Sequence, residues 1–180
     1  MERLHKLLVP TDGTSGGASA LAAAVPLATT TGAELVLMRA AVPPSRPLYR
    51  PTLRLGSKPL GNAMPGDAAR QVKHYVEHVA SRLRERGVKV EARGVIGQPG
   101  AAIVALAEET DADVIVMSTH SRRGPARSIV GSVADEVVRQ SRRPVLLVAR
   151  GESAGDSDVF AAPATAAAHN PSVLTRSVRR

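Results

Sequence analysis

Ala112-Asp113-Val114-Ile115-Val116-Met117 is an apolar run that does not alternate, and it ends in Ser118-Thr119-His120-Ser121. A strand with one wet face alternates apolar and polar residues, whereas a strand covered on both faces reads as a continuous aliphatic run. Residues 114–117 therefore read as a central strand of a parallel sheet. Four more short apolar runs stand at 4–9, 34–42, 88–95 and 145–149. Helical stretches separate them. Residues 18–30 are rich in alanine, and Pro26 removes the hydrogen bond to the Ala22 carbonyl, which predicts a kinked or shortened helix. Residues 67–86 carry Val72, Val76, Val79 and Leu83 on one face at helical spacing. Residues 99–110 open on Pro99 and turn Ile103, Leu106 and Ala107 inward, and residues 132–140 form the last helix. Strand alternating with helix implies crossover connections. The prediction is an α/β domain with an open five-stranded parallel sheet and helices on both faces.

The chain of 180 residues is long enough for one such domain with a sizeable core. Tyr49, Tyr75 and Phe160 are its only aromatic residues, so the core is aliphatic. There is no cysteine, which excludes disulfides, thiolate metal sites and a cysteine nucleophile. No run approaches the ~18 apolar residues of a membrane span. The start, Met1-Glu2-Arg3-Leu4-His5-Lys6, lacks the apolar stretch of a signal peptide. No membrane association and a cytoplasmic location are expected. Net charge is +8, and seven arginines fall within residues 120–150 against Asp135 and Glu136. Such an excess suits nucleic acid or anionic ligands. Nucleic acid is disfavoured as a partner, because single strands need stacking aromatics beside the charge. Residues 43–65 are proline-rich and aperiodic, and read as a long loop or lid. Residues 151–180, rich in Ala, Ser and Asp, read as a disordered tail after a domain over 1–150.

In an open parallel sheet, ligands bind beyond the carboxyl ends of the strands, where the winding direction reverses. Two loops leave such ends with useful chemistry. One is Val9-Pro10-Thr11-Asp12-Gly13-Thr14-Ser15-Gly16-Gly17, in which Asp12 offers a carboxylate to a ribose hydroxyl or an adenine amino group. The other runs from Ser118-Thr119-His120-Ser121-Arg122-Arg123-Gly124 to Gly131-Ser132, where the last helix opens. Amides, hydroxyls, arginines and a helix N-terminus are the parts of an anion site.

These residues carry a family likeness. Val9-Pro10-Thr11-Asp12, Gly97-Gln98-Pro99, the strand at 112–117, the loop from Ser118 to Gly131-Ser132, and Arg143-Pro144-Val145-Leu146-Leu147-Val148 occur in the order and at the spacing of a universal stress protein. The chain resembles that family over residues 1–150, apart from 43–65. The resemblance implies a Rossmann-like fold of the adenine-nucleotide α-hydrolase kind and binding of ATP or another adenine nucleotide, with Mg as a candidate companion. It also implies a homodimer joined through the last strand. ATP-binding members carry Gly-x-x-Gly, nine residues, then Gly-Ser or Gly-Thr. Here that frame falls on Ser118, Ser121, Gly131 and Ser132, so the last two positions match and the first two glycines are serines. By the family pattern Asp12, with Pro10 and Thr11 before it, would meet ribose or adenine. Ala40 and Met117 would line the base pocket, and Gly131 and Ser132 would face the phosphates, with Ser118, His120, Ser121 and Arg122 in the same loop.

Plainer roles stand beside these. Asp12 can simply cap the first helix or bond loop amides. Ser132 with Asp135 makes a capping-box pattern. His120 reads as a neutral surface histidine. His74 and His78 stand four apart like a metal pair but lie on the face opposite Val72 and Val76, which favours a solvated surface. Ser15-Gly16-Gly17-Ala18-Ser19 resembles the phosphate loop of PP-loop ATP pyrophosphatases, yet Ala18 stands where that loop carries an aspartate, which disfavours an adenylating enzyme. No general base and nucleophile pair stands out, so catalysis is not expected. The alternative to a nucleotide-binding stress-response protein is a dimeric interaction module of the same family that binds no nucleotide.

Overall fold

A computed structural model describes residues 3–42, 65–119 and 131–149. Its elements in chain order are β1 (Lys6–Pro10), α1 (Ser15–Thr31), β2 (Glu34–Ala41), α2 (Pro65–Glu85), β3 (Val90–Ile96), α3 (Pro99–Glu109), β4 (Val114–Thr119), α4 (Ser132–Gln140) and β5 (Val145–Ala149). The five strands form one parallel sheet in the order β3-β2-β1-β4-β5. The chain winds outward from β1 through β2 to β3, then returns to the other side of β1. The winding therefore reverses between β1 and β4.

Strand periodicity assigns the core to two faces. Leu7 and Val9 of β1, Leu35 and Leu37 of β2 and Val116 of β4 pack with Leu21 of α1 and with Val76 and Val79 of α2. Their strand neighbours Leu8, Val36, Met38, Ile115 and Met117 pack with Ile103 and Leu106 of α3 and Val137 of α4. Every side chain of β1 from Leu7 to Val9 is fully buried, as are Leu35 to Met38 of β2. Each such aliphatic side chain contributes ~1.5–3 kcal/mol by leaving water. Coverage on both sides is the reason these strands read as continuous apolar runs.

The boundaries move where polar groups intervene. The first run begins at residue 4, but β1 starts at Lys6, because the Asp113 carboxylate takes the amides of His5 and Lys6 at 2.6 and 2.8 Å. The third run begins at residue 88, but β3 starts at Val90. The Val88 amide is spent on the Leu83 carbonyl at the end of α2. β4 extends past Met117 to Thr119, which pairs with Ala149 of β5. α1 begins at Ser15 rather than residue 18, so Gly16 and Gly17 belong to its first turn. It is not shortened at Pro26 and continues to Thr31. Pro26 and Ala22 both lie on the exposed side, where water can take the freed carbonyl. Pro65 is not loop but the first residue of α2, a position where its missing N–H costs nothing. The rest of the expected loop or lid and the expected tail lie outside the described residues.

Candidate functional site

A cleft of 310 Å³ opens at the carboxyl ends of β1 and β4, at the reversal of winding. Its lining comes from six elements and the turn after β1. Pro10, Thr11 and Asp12 enter from β1 and that turn, Met38 and Ala40 from β2, and Met117 and Ser118 from β4. Gly17 comes from the first turn of α1, Pro99 and Ile103 from α3, and Gly131 to Ala134 from the start of α4. Eight of the eleven site residues expected from the sequence thus face one cleft: Pro10, Thr11, Asp12, Ala40, Met117, Ser118, Gly131 and Ser132. His120, Ser121 and Arg122 lie outside the described residues.

The walls are chemically divided. Met38, Ala40, Met117, Ile103 and Pro99 supply the apolar part of the lining. The polar end is built from helix starts. Crossover connections bring helix N-termini to this edge of a parallel sheet, and α3 and α4 both aim theirs here. Gln98 and Gly131 are the cap residues of those two helices, and neither start has a side-chain cap hydrogen bond. The orphan amides of a first turn and the positive end of its dipole favour an anion.

Asp12 is held in place by its own turn. Its Oδ1 accepts the Thr14 amide at 2.8 Å and the Thr14 hydroxyl at 2.6 Å. The loop-bonding role open to it from sequence is therefore real, and it coexists with a place on the cleft wall. The Thr11 amide donates to the Met38 carbonyl at 2.8 Å, which ties the turn to β2. Gly17 makes the turn possible. A β carbon there would stand 2.5 Å from Thr11 Oγ1 and 3.2 Å from Asp12 Oδ1, so α1 can approach this closely only without a side chain.

The capping box expected at Ser132 and Asp135 does not form. Gly131 is the cap, with extended backbone, and Ser132 is the first helical residue. Asp135 instead pairs with Arg139 one turn on, at 2.9 Å. Ser132 is thereby left at the cleft mouth rather than spent as a cap. Ser118 lies within β4, in register with Val148, and does not adopt a positive φ. The backbone freedom of glycine is not needed at that position. His74 is exposed and His78 half-buried on α2. The Ser15–Ser19 stretch is helical from its first residue.

Gly17, Met38, Pro99, Ile103, Val133 and Ala134 complete the lining beyond the residues singled out from sequence. Signals for three were present. Met38 is two residues from Ala40 and so on the same strand face. Ile103 is one helical turn beyond Pro99, which itself opens the third helix.

The universal stress protein family model matches residues 3–149. Universal stress protein MJ0577 of Methanocaldococcus jannaschii is 32% identical over 92 residues, 51% of this chain and 57% of that protein. Universal stress protein YxiE of Bacillus subtilis is 29% identical over 151 residues, 80% of this chain and 98% of that protein. The alignment to the Methanocaldococcus relatives spans about half their length, 57% of MJ0577 and 43% of MJ0531. Among solved structures, that of MJ0577 superposes with a TM-score of 0.64 at 24% identity, covering 84% of this chain and all (100%) of that one. A universal stress protein in complex with cAMP superposes with a TM-score of 0.60 at 25% identity, covering 83% of this chain and 100% of the other. Five parallel strands in this order, a cleft at the reversal point and a family match across all the described residues lead to one conclusion: the chain belongs to the universal stress protein family.

Proposed function

We propose that this protein is a stress-response protein that binds ATP or another adenine nucleotide in the cleft between β1 and β4 and signals by its bound state. The observation that carries the reading is the division of that cleft. Apolar walls stand beside a carboxylate fixed by its own turn, and the first turn of α4, which has no side-chain cap hydrogen bond, opens on the same cleft. The adenine ring fits between Met38, Ala40, Met117 and Ile103. Asp12, oriented by Thr14, accepts from ribose or from the adenine amino group. Gly131 and Ser132 offer the first amides of α4 to phosphate. The cAMP complex of a relative with the same fold supports an adenine nucleotide as the ligand class. Mg²⁺, where it accompanies ATP, would be held largely by the phosphates, as this ion commonly is.

We further propose a homodimer formed through β5, which ends the sheet with no further strand beside it among the described residues. Leu146 on that strand is 43% exposed, and an apolar edge invites pairing with a second copy.

Calorimetric titration tests the nucleotide reading. ATP and adenosine should both bind the wild type, and Asp12→Ala should weaken both by about ten- to a hundredfold, the worth of a charged hydrogen bond. The second reading, a module that binds no nucleotide, draws on the serines at 118 and 121. Because Ser118 sits in ordinary extended backbone, the double change Ser118→Gly, Ser121→Gly should leave ATP affinity unchanged or lower. No heat with the wild type and binding gained in the double variant would establish the second reading instead.

A further inference from the structure

Arg39 lies between two cleft residues on β2 but points the other way. Met38 and Ala40 line the cleft; strand alternation sends Arg39 to the opposite face, beneath α2. There its guanidinium stacks on the Tyr75 ring, 4.4 Å from the ring centroid. Tyr75 is 7% exposed, and its hydroxyl is buried without a hydrogen-bond partner among the described residues. Both side chains converge on one point of the turn after β1. A β carbon on Gly13 would stand 3.3 Å from an Arg39 Nη and 3.4 Å from the Tyr75 hydroxyl. Gly13 has φ +80, a conformation that disfavours any side chain. It separates Asp12 from Thr14, the residue that orients the Asp12 carboxylate.

We infer that Arg39 and Tyr75 are positioning residues for the nucleotide, acting through Gly13. The stacked pair forms the floor on which the Asp12-Gly13-Thr14 turn is laid. It fixes the carboxylate from behind without touching the ligand. Tyr75 is the one aromatic side chain among the described buried hydrophobic residues, and Arg39 lies half-buried against it. The planar guanidinium over the ring gives a rigid surface that Gly13 can follow closely. The inference rests on the nucleotide reading above.

The test is titration of adenosine and ATP against wild type, Arg39→Met, Arg39→Lys and Tyr75→Phe, with thermal midpoints and amide spectra of the free proteins. Arg39→Met should weaken adenosine and ATP by the same factor, about three- to thirtyfold, the range for residues that act on a site through others. It should also shift the amide resonances of Asp12, Gly13 and Thr14 before ligand is added. Arg39→Lys keeps the charge but loses the plane and should fall between. Tyr75→Phe keeps the ring and should bind within about twofold of wild type, because it removes a hydroxyl with no partner to lose. Normal binding by a folded Arg39→Met variant would overturn the inference, as would an effect on ATP alone, which would make Arg39 a phosphate contact. A Tyr75→Phe loss as large as that of Arg39→Met would also overturn it, by giving the hydroxyl the role assigned to the stack. Absence of wild-type binding overturns the nucleotide reading and this inference together, and the first titration identifies that case.

Discussion

Asp113 accepts the amides of His5 and Lys6 on one carboxylate oxygen, and its own amide donates to the Lys6 carbonyl at 2.9 Å. The residue thus staples the starts of β1 and β4, the two strands that flank the cleft. Burial acts to raise its pKa. The two amide hydrogen bonds, with the nearby charges of His5 and Arg143, outweigh that and hold the carboxyl below its usual range. A folded-state pKa below the unfolded one stabilises the fold above the unfolded value and ceases to do so as pH falls through the folded value. Asp113→Asn should therefore cost about 1–2 kcal/mol at pH 7, the worth of a partly screened charged hydrogen bond. The gap from wild type should narrow below pH ~4, where an ordinary aspartate protonates. Urea unfolding of both proteins at pH 7 and pH 3 measures this, and a gap that stays constant contradicts it. Asp12 was legible in the sequence because it ends an apolar run at a strand terminus. The staple was not, because 107 residues separate Lys6 from Asp113 and no local pattern signals the pairing.

β1, β2 and β4 were legible as elements because their central residues are covered on both faces and read as continuous apolar runs, whereas β3 carries Glu91 and Arg93 and β5 is partly exposed. The strand ends were less legible, since Asp113 and the Val88 amide, rather than hydrophobicity, decide where β1 and β3 begin. The helix starts hold most of what the sequence hid about the site. Gly17 reads as a loop residue, and its packing against Thr11 and Asp12 exists only once α1 is docked. The serine that looked like a cap at 132 is displaced from that role by Gly131. At the far side of the sheet, β5 carries a Leu146 that a monomer would leave half in water. If β5 pairs with its mate, Leu146→Lys places a charge at the proposed seam and should convert the dimer to monomer. Light scattering at micromolar concentration reads the mass directly. A monomeric wild type, or a variant with the mass of the wild type, counts against the seam.

At the scale of the whole molecule, the described elements end at Ala149 and the family match ends at the same residue. We propose that residues 1–150 fold independently of residues 151–180. Truncation after Arg150 should leave the thermal midpoint within about 2 °C, since a loss of even 1 kcal/mol would move a domain of this size by roughly that much or more. A larger fall would show the segment packing on the body. The site itself is a property of the whole fold, since six elements and the turn after β1 meet at the place where the winding reverses. Amide chemical-shift mapping with ATP tests that claim most directly. Saturable shifts should appear at Thr11, Asp12, Gly17, Met117, Ser118, Gly131 and Ser132, with adenosine reproducing those at Asp12 and Met117 but not those at Gly131 and Ser132. No saturable shift, or shifts centred at the opposite edge of the sheet around Arg3 and Lys89, would contradict the account.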